Sequence, residues 1–395
     1  MNPADAPAFA AGLPHAVAAP AAVAPDLALP AGARYVLGED QARRATLRAA
    51  VCIPARDEAE RIFAALEAVR CQWDPATQRP LGEAVACVLV VNGTTDETLQ
   101  RVCAWAAAHP RFRLTVVDAD FAPERAHVGT ARRLALDLGA GLLAAGGCGG
   151  DGLLLSTDAD SRLRYDALAR GLGELQRADA FGAHIVAGEP DHSRIGLLVN
   201  RYGALRAELR HRLYREPHDR TPPHGVFGGA GFGLTVRAYR LAGGLPEQPY
   251  DEDQELRRRL LSAGLRVSYP RDVVVATSTR TDGRTPWGMA RQLAAWAADD
   301  DAGRMPAVPG ASALAGRYRA KAALRDRFPD TPLGRQGFYA AWRERGPGLR
   351  SRLPEDCPLP QAIAQLEAWL ASGTTGTSRE PLEDVEPVAV LSAAA

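Results

Sequence analysis

Asp158 and Asp160 stand two residues apart at the end of an apolar run, Leu153-Leu154-Leu155-Ser156-Thr157. Carboxylates paired in this way are hard oxygen donors. They suit Mg2+ or Mn2+, which often share their coordination with a substrate's phosphates. A plainer role fits the same residues, because Asp at a strand end also caps the turn or helix that follows. A second acidic group, Asp251-Glu252-Asp253-Gln254-Glu255, opens a segment with helical spacing through Leu261. Between the two lies His224-Gly225-Val226-Phe227-Gly228-Gly229-Ala230-Gly231-Phe232-Gly233. So many glycines suggest close backbone approach to a ligand or a neighbouring segment, with a flexible loop as the alternative.

The elements that would position these residues alternate. Ala49–Pro54 reads as a buried strand followed by a polar loop, Ala55-Arg56-Asp57-Glu58, and by a helix over Ala59–Cys71. Ala84–Val91 reads as a second strand ending in Asn92-Gly93-Thr94-Thr95-Asp96, where Thr95 or Asp96 can cap a helix running to about His109. A strand at Phe112–Val117 and a helix at Ala126–Leu143 lead through a Gly-rich loop to the strand before Asp158. This order predicts an α/β fold with a doubly wound, mostly parallel sheet flanked by helices. The polar ends of its first, second and fourth strands then line one crevice, where such sheets bind ligands. No Walker A sequence and no GxGxxG follows a strand. Further on, 163–222 reads as mostly helical, Val236–Ala242 as a short helix ending at Gly243-Gly244, and Val267–Ala276 as one strand.

The chain has 395 residues and no formal net charge, which argues against a general nucleic-acid or anionic-membrane binder. Lys321 is its only lysine, so arginine carries nearly all the positive charge. The six cysteines are scattered without metal-ligand spacing, which suits a reduced, cytoplasmic setting, peripheral contact with the inner membrane being compatible with it. No apolar stretch is long enough to span a bilayer. Four regions are expected: an Ala/Pro-rich disordered tail over 1–45, a catalytic-type α/β domain over 46–300, a loose helical C-terminal extension over 301–371, and a disordered tail over 372–395.

Taken in order, these segments resemble the family 2 glycosyltransferases, which have the GT-A fold. Ile53-Pro54-Ala55-Arg56-Asp57-Glu58-Ala59 is similar to the family's opening strand and nucleotide loop, and Val90-Val91-Asn92-Gly93-Thr94-Thr95-Asp96 to its second strand and turn. Asp158-Ala159-Asp160 is similar to the DxD motif. Gly229-Ala230-Gly231-Phe232 through Gly243-Gly244-Leu245-Pro246 resembles the acceptor-side segment, and Glu252-Asp253-Gln254-Glu255-Leu256 the "ED" motif. The match runs over about residues 49–285.

The resemblance implies an inverting transferase that moves a sugar from a nucleoside-diphosphate sugar, a UDP-sugar first, to an acceptor hydroxyl. Asp253 would be the general base, with Glu252 beside it. Asp160 and Asp158 would hold Mn2+ or Mg2+ and the diphosphate. Pro54, Ala55, Arg56, Glu58, Asn92 and Asp96 would border the nucleoside, with Arg132, Ala159, Gly229, Ala230 and Arg280 completing the nucleotide-sugar site.

The chain departs from the family in several places. Asn92 stands where many members have Asp, and Arg133 where many have Asn. No histidine follows His224 to complete a metal site, and Thr277-Ser278-Thr279-Arg280-Thr281-Asp282-Gly283-Arg284 stands there instead. Arg280 or Arg284 would then neutralise diphosphate directly, which weakens the need for metal. Gln292 and Trp296 match a processive-synthase signature only loosely. His218, Asp219 and His224 lack the cysteines of a zinc cluster; His224 reads as an acceptor contact or an ordinary loop histidine. Two other functions stay open: a catalytically silent module that binds a sugar nucleotide, and a nucleotidyltransferase.

Overall fold

The computed structural model describes residues 29–38, 47–188, 193–281, 288–350 and 353–373. In chain order the elements are β1 (Ala33–Leu37), β2 (Ala49–Ala55), α1 (Ile62–Arg70), a small hairpin of β3 (Trp73–Asp74) and β4 (Arg79–Pro80), β5 (Val85–Asn92), α2 (Thr98–Ala108), β6 (Arg113–Ala119), α3 (Val128–Ala145) and β7 (Leu153–Thr157). There follow β8 (Ser161–Leu163), α4 (Ala167–Glu174), β9 (Ala180–Gly182), β10 (His184–Ala187), α5 (Arg194–Leu213), β11 (Gly231–Thr235), α6 (Val236–Leu241), α7 (Glu252–Ser262), β12 (Val267–Ser268) and β13 (Val274–Thr277). The chain continues through α8 (Met289–Asp301), β14 (Ala307–Val308), α9 (Ala311–Arg325), α10 (Pro332–Arg350), β15 (Cys357–Pro358) and α11 (Leu359–Ala371).

The central sheet has the order β1-β6-β5-β2-β7-β11-β9-β12. Its middle strands β6, β5, β2 and β7 run parallel. Their sequences are continuous apolar runs because helices cover both faces. Successive residues of β2 face opposite sides: Ala50 and Cys52 join the core beneath α3, while Ala49, Val51 and Ile53 join the core beneath α1 and α2. The α3 face packs very closely. A Cβ built on Gly139 would come within 2.8 Å of Cys52 Sγ, so only glycine lets this helix lie so near the strands. The doubly wound, mostly parallel sheet expected from the alternating pattern is present.

Four features differ from the sequence expectation. Residues Ala33–Leu37, assigned to the N-terminal tail, form β1 and pair antiparallel with β6; the stretches 1–28 and 39–45 of that tail lie outside the described residues, as does 374–395 of the C-terminal tail. The Gly-rich segment is in part a strand: β11 lies antiparallel between β7 and β9. Glycine suits it because β11 packs against a large neighbour, a Cβ on Gly233 falling 2.3 Å from the Phe181 ring. The expected strand over Val267–Ala276 is broken at Pro270 into β12, on the central sheet, and β13, on a second sheet of order β10-β13-β8. Finally, 163–222 contains α4 and α5 but also β9 and β10 between them.

The C-terminal helices are packed rather than loose. Tyr202, Leu205 and Leu209 of α5 bury against Ala311 and Leu314 of α9 and Leu359, Ala362 and Leu366 of α11. A polar knot joins this layer to the rest. Buried Glu216 accepts hydrogen bonds from Tyr214 Oη, Tyr339 Oη and Arg325 Nε. Lys321 Nζ lies 4.3 Å from the centre of the Tyr214 ring, and Phe338, Tyr339 and Trp342 stand within 6 Å. Burial pulls the Lys321 amine down to about 7 against the pull of Glu216. Removing one partner of such a network strands the others. Glu216→Ala is therefore expected to lower unfolding free energy by about 3–5 kcal/mol, read as an earlier midpoint in urea. A midpoint within error of the parent would show that the knot holds nothing together. Among the described residues no helix is long and apolar enough to cross a membrane.

Candidate active site

The C-terminal ends of β2, β5 and β7 open onto one crevice, and the first two are tied there by their own polar loops. Asp57 Oδ1 accepts from Thr95 N–H at 2.7 Å, while Asp57 N–H donates to Thr94 Oγ1 at 2.9 Å. Asp96 does the reverse, its Oδ2 accepting from Ala59 N–H at 3.0 Å and its Oδ1 from Thr98 N–H at 2.9 Å. Burial pushes both carboxyls up, yet the hydrogen bonds outweigh it and hold each below the usual range. Both oxygens of Asp96 are thus taken up by the loop, which gives it a bracing role at the crevice wall. The expected cap is partly realised: α2 starts at Thr98 after Glu97, and Asp96 satisfies the first free N–H.

Two arginines organise the floor. Arg132, in the second turn of α3, is almost fully buried, its side chain 3% exposed. It donates from Nε to Glu252 Oε1 at 3.0 Å, from Nη1 to Ser156 Oγ at 2.8 Å and Gly229 O at 2.7 Å, and from Nη2 to Asp158 Oδ1 at 2.9 Å. Burial alone would lower its affinity for a proton, but Asp158 and Glu252 more than reverse that. Arg280 does the same work on the opposite wall. It forks onto Glu58, with Nη2 to Oε1 at 2.7 Å and Nη1 to Oε2 at 3.1 Å, and Nη2 lies 3.2 Å from Asp160 Oδ2. Each aspartate of the Asp158-Ala159-Asp160 turn is therefore joined by a guanidinium to an acid from another segment.

Asp253 sits at the start of α7, behind Asp251, which adopts the left-handed conformation at φ 57°. Its Oδ2 accepts from Gly229 N–H at 2.7 Å and its Oδ1 from Gln254 N–H at 2.6 Å. Gly229 thus contacts the base candidate through its N–H and Arg132 through its carbonyl. A Cβ on Gly229 would fall 2.7 Å from Arg132 Nη2, so a larger residue there would displace the guanidinium from its partners. Burial and the neighbouring Glu252 push the Asp253 carboxyl up to about 6, against the pull of Arg132. Burial raises Glu58 to about 7 and also raises Asp160, Arg280 opposing in both cases.

No protein-family model and no curated protein matches this sequence. Among solved structures, the chain is similar to a mannosyltransferase, PcManGT from Pyrobaculum calidifontis, in complex with GDP-Man and Mn2+: 21% identity over 82% of this chain and 79% of that one, at a TM-score of 0.45. It is also similar to residues 1–349 of S. aureus TarS in complex with UDP-GlcNAc, at 14% identity over 82% of this chain and 92% of that one, with a TM-score of 0.41. Against a longer TarS chain it spans 63% of itself and 42% of that chain, at 17% identity and a TM-score of 0.39. Likeness at this level does not bear on which donor or acceptor this chain takes.

The residues singled out in the sequence divide into groups. Asp158, Asp160, Glu252, Asp253, Gly229, Arg132, Arg280 and Glu58 form one connected set. Ala159 is buried in the turn between its aspartates. Ala230 contributes its carbonyl to Thr157 Oγ1 at 2.9 Å. Pro54 and Ala55 are buried at the end of β2, whereas Arg56 is exposed, 3.8 Å from Asp57. Asn92 is buried at the end of β5. Its amide donates to His127 O at 3.5 Å, and its Oδ1 has no hydrogen-bond partner among the described residues.

Arg133 lies outside the set, held by Asp137 and Leu245 O, and Arg284 falls outside the described residues. His224 is a structural histidine: Nε2 donates to Gly182 O at 3.1 Å, and Nδ1 accepts from Val226 N–H at 3.2 Å. Ser156 was overlooked. Its polarity in an otherwise apolar strand was the available signal, and it marks where Arg132 enters.

Among the described residues no three His, Cys, Asp or Glu side chains are grouped as a metal cage. Two carboxylates on one turn still fit Mg2+ or Mn2+, since these ions habitually take their remaining ligands from water and substrate phosphate. The residues fit a cation that arrives with a diphosphate, and Arg280 already neutralises part of the charge at Asp160.

Proposed function

We propose that this chain is an inverting, nucleotide-sugar-dependent glycosyltransferase. The observation that carries this reading is the pair of arginine bridges, which draw the Asp158-Ala159-Asp160 turn and, through Gly229, Asp253 together at the strand ends, two guanidiniums among the five acids Glu58, Asp158, Asp160, Glu252 and Asp253. Asp253, raised to about 6, is ionised at neutral pH and close enough to it to accept a proton from an acceptor hydroxyl in the transition state. The Gly229 N–H holds its Oδ2 and the Gln254 N–H its Oδ1, which fixes the orientation of the carboxylate. As a nucleoside diphosphate leaves the sugar it gains negative charge, and Arg280, held by Glu58 and Asp160 beside that turn, keeps a fixed positive charge there to offset it. A divalent cation, when bound at Asp160 and Asp158, would supply further Lewis-acid stabilisation of that leaving group.

With the Asn92 amide nitrogen on His127 O, its oxygen is left as an acceptor in need of an N–H. Uracil and guanine can supply one from the ring, cytosine and adenine from an exocyclic amine. UDP-sugars and GDP-sugars are the first donors to screen, then CDP- and ADP-sugars, with and without Mn2+, reading release of the nucleoside diphosphate. Absence of both binding and release across the set would overturn the reading; binding without turnover would favour a silent sugar-nucleotide module. In the same assay Arg280→Gln is expected to raise the donor KM by about tenfold or more, as loss of a charge-assisted hydrogen bond does. It should also steepen the response to added metal. An unchanged KM would remove Arg280 from the diphosphate site.

A further inference from the structure

Gly228, Gly229 and Gly231 line the approach to Asp253, and the last two are hemmed in by their neighbours. A Cβ on Gly229 would fall 2.7 Å from the Arg132 guanidinium, and one on Gly231 would fall 3.0 Å from both Ala183 Cβ and Val275 Cγ2. Gly228 is different. It has no positive φ, so its backbone suits any residue. The atom nearest to its would-be Cβ is Ile185 Cδ1 at 3.2 Å, the tip of a side chain that can turn aside. Val226 Cγ1 follows at 3.8 Å and Asp253 Oδ2 at 4.0 Å. Neither strain nor crowding calls for glycine at 228. What glycine does there is leave one face bare.

That face is bordered by Asp253 and by two aliphatic side chains. Apart from the chain neighbours of Gly228, no polar atom among the described residues is nearer to it than Asp253 Oδ2. Oδ2 accepts from Gly229 N–H at 2.7 Å, and a carboxylate oxygen has a second acceptor site. Gly228 and Ile185 are half-buried and Val226 is 44% exposed, so the face is open to solvent. The loop does not carry the valine loosely. Val226 N–H donates to His224 Nδ1 at 3.2 Å, the Phe227 carbonyl accepts from Gln254 Nε2, and Asp253 holds Gly229 N–H. A braced loop thus keeps an aliphatic side chain in water beside a carboxylate, where a bound hydrocarbon group would cover it.

On the reading of Asp253 as the base, we propose that Gly228, Ile185 and Val226 form the acceptor's seat and select an alcohol with an alkyl group next to its reactive hydroxyl. The hydroxyl hydrogen-bonds to Asp253 Oδ2, while the alkyl group lies over Gly228 against the two side chains. As the hydroxyl oxygen bonds to the anomeric carbon, its proton passes to Asp253. The nucleoside diphosphate departs with the electron pair of the broken bond. A polyol in the same seat would set hydroxyls against methyl groups, where they find no partner.

A competition between two acceptors tests this. The full chain is given a nucleotide sugar that it turns over, with equal concentrations of 1-propanol and glycerol, alcohols built on the same three-carbon chain. The two glycosides and the free sugar released to water are quantified by mass spectrometry. Propyl glycoside is expected to exceed glyceryl glycoside by about tenfold or more. Val226→Ser, at an exposed position, and Ile185→Thr, which keeps a β-branched residue in β10, should each fold as the parent does and cut that ratio by about threefold or more. Gly228→Ala covers the face with a methyl group and should depress both glycosides relative to free sugar. The seat is overturned by a parent ratio near one, by free sugar with neither glycoside, by a ratio unchanged in both side-chain variants, or by parent-like transfer in Gly228→Ala. In each of these cases turnover persists and the transferase reading stands. No release of nucleoside diphosphate from any donor would remove that reading and the seat with it.

Discussion

Asp253→Asn is expected to lower kcat/KM for sugar transfer by about 10²–10⁴-fold, the usual contribution of a positioned general base. Donor affinity should stay within about twofold of the parent, because the amide keeps the carboxylate's shape and its oxygen can still accept from one of the Gly229 and Gln254 N–H groups, while its NH2 faces the other. The pH profile gives a second readout. The base works only when ionised, so activity is present above the Asp253 pKa and lost as pH falls through about 6. That acid limb should vanish in Asp253→Asn. Turnover equal to the parent, from folded protein, would take the base away from Asp253.

Arg132→Met is expected to be the most damaging single change to this site. Its guanidinium satisfies Glu252, Asp158, Ser156 and the Gly229 carbonyl together. Methionine keeps much of the side chain's volume but leaves the buried Glu252 carboxylate with no partner and Asp158 facing it. Breaking a buried pair from one side costs about 3–5 kcal/mol. A urea midpoint shifted by that amount, together with loss of diphosphate release, is the expected result. Arg132→Lys separates charge from geometry: one ammonium replaces the charge but cannot reproduce a planar fork on four acceptors. It should recover part of the stability and little of the activity. A Met variant as stable as the parent would mean that Glu252 and Asp158 do not depend on Arg132.

The parallel half of the sheet was legible because its strands are buried on both faces and therefore read as unbroken apolar runs. The acids at its ends were legible because polarity stops those runs abruptly. What could not be read was pairing between distant segments. Glu58 and Arg280 are separated by more than two hundred residues and meet only because the second sheet brings Thr277 back beside Ser161. The bonds from Asp96 to Ala59 and Thr98 N–H are likewise invisible in the sequence, where Asp96 reads only as a polar residue at a strand end. Glycine misled in the other direction. In Gly231–Thr235 it makes room for the Phe181 ring in a central strand, and local pattern does not distinguish that from a ligand loop. Arginine abundance gave composition no means of ranking Arg132 and Arg280 above the surface arginines; the resemblance singled them out, and burial separates them.

Pro270 has a consequence for how copies of this chain behave beside one another. A strand running unbroken from Val267 to Ala276 would have given the central sheet a long free margin, a template on which a neighbouring chain could zip. The proline stops that margin after Val267 and Ser268 and sends the chain onto the other sheet. On the far side the margin is β1, where Arg34 is held by Asp118 at 2.8 Å and keeps a charge at the rim. The break at Pro270 is thus a guard on solubility as well as a turn in the path.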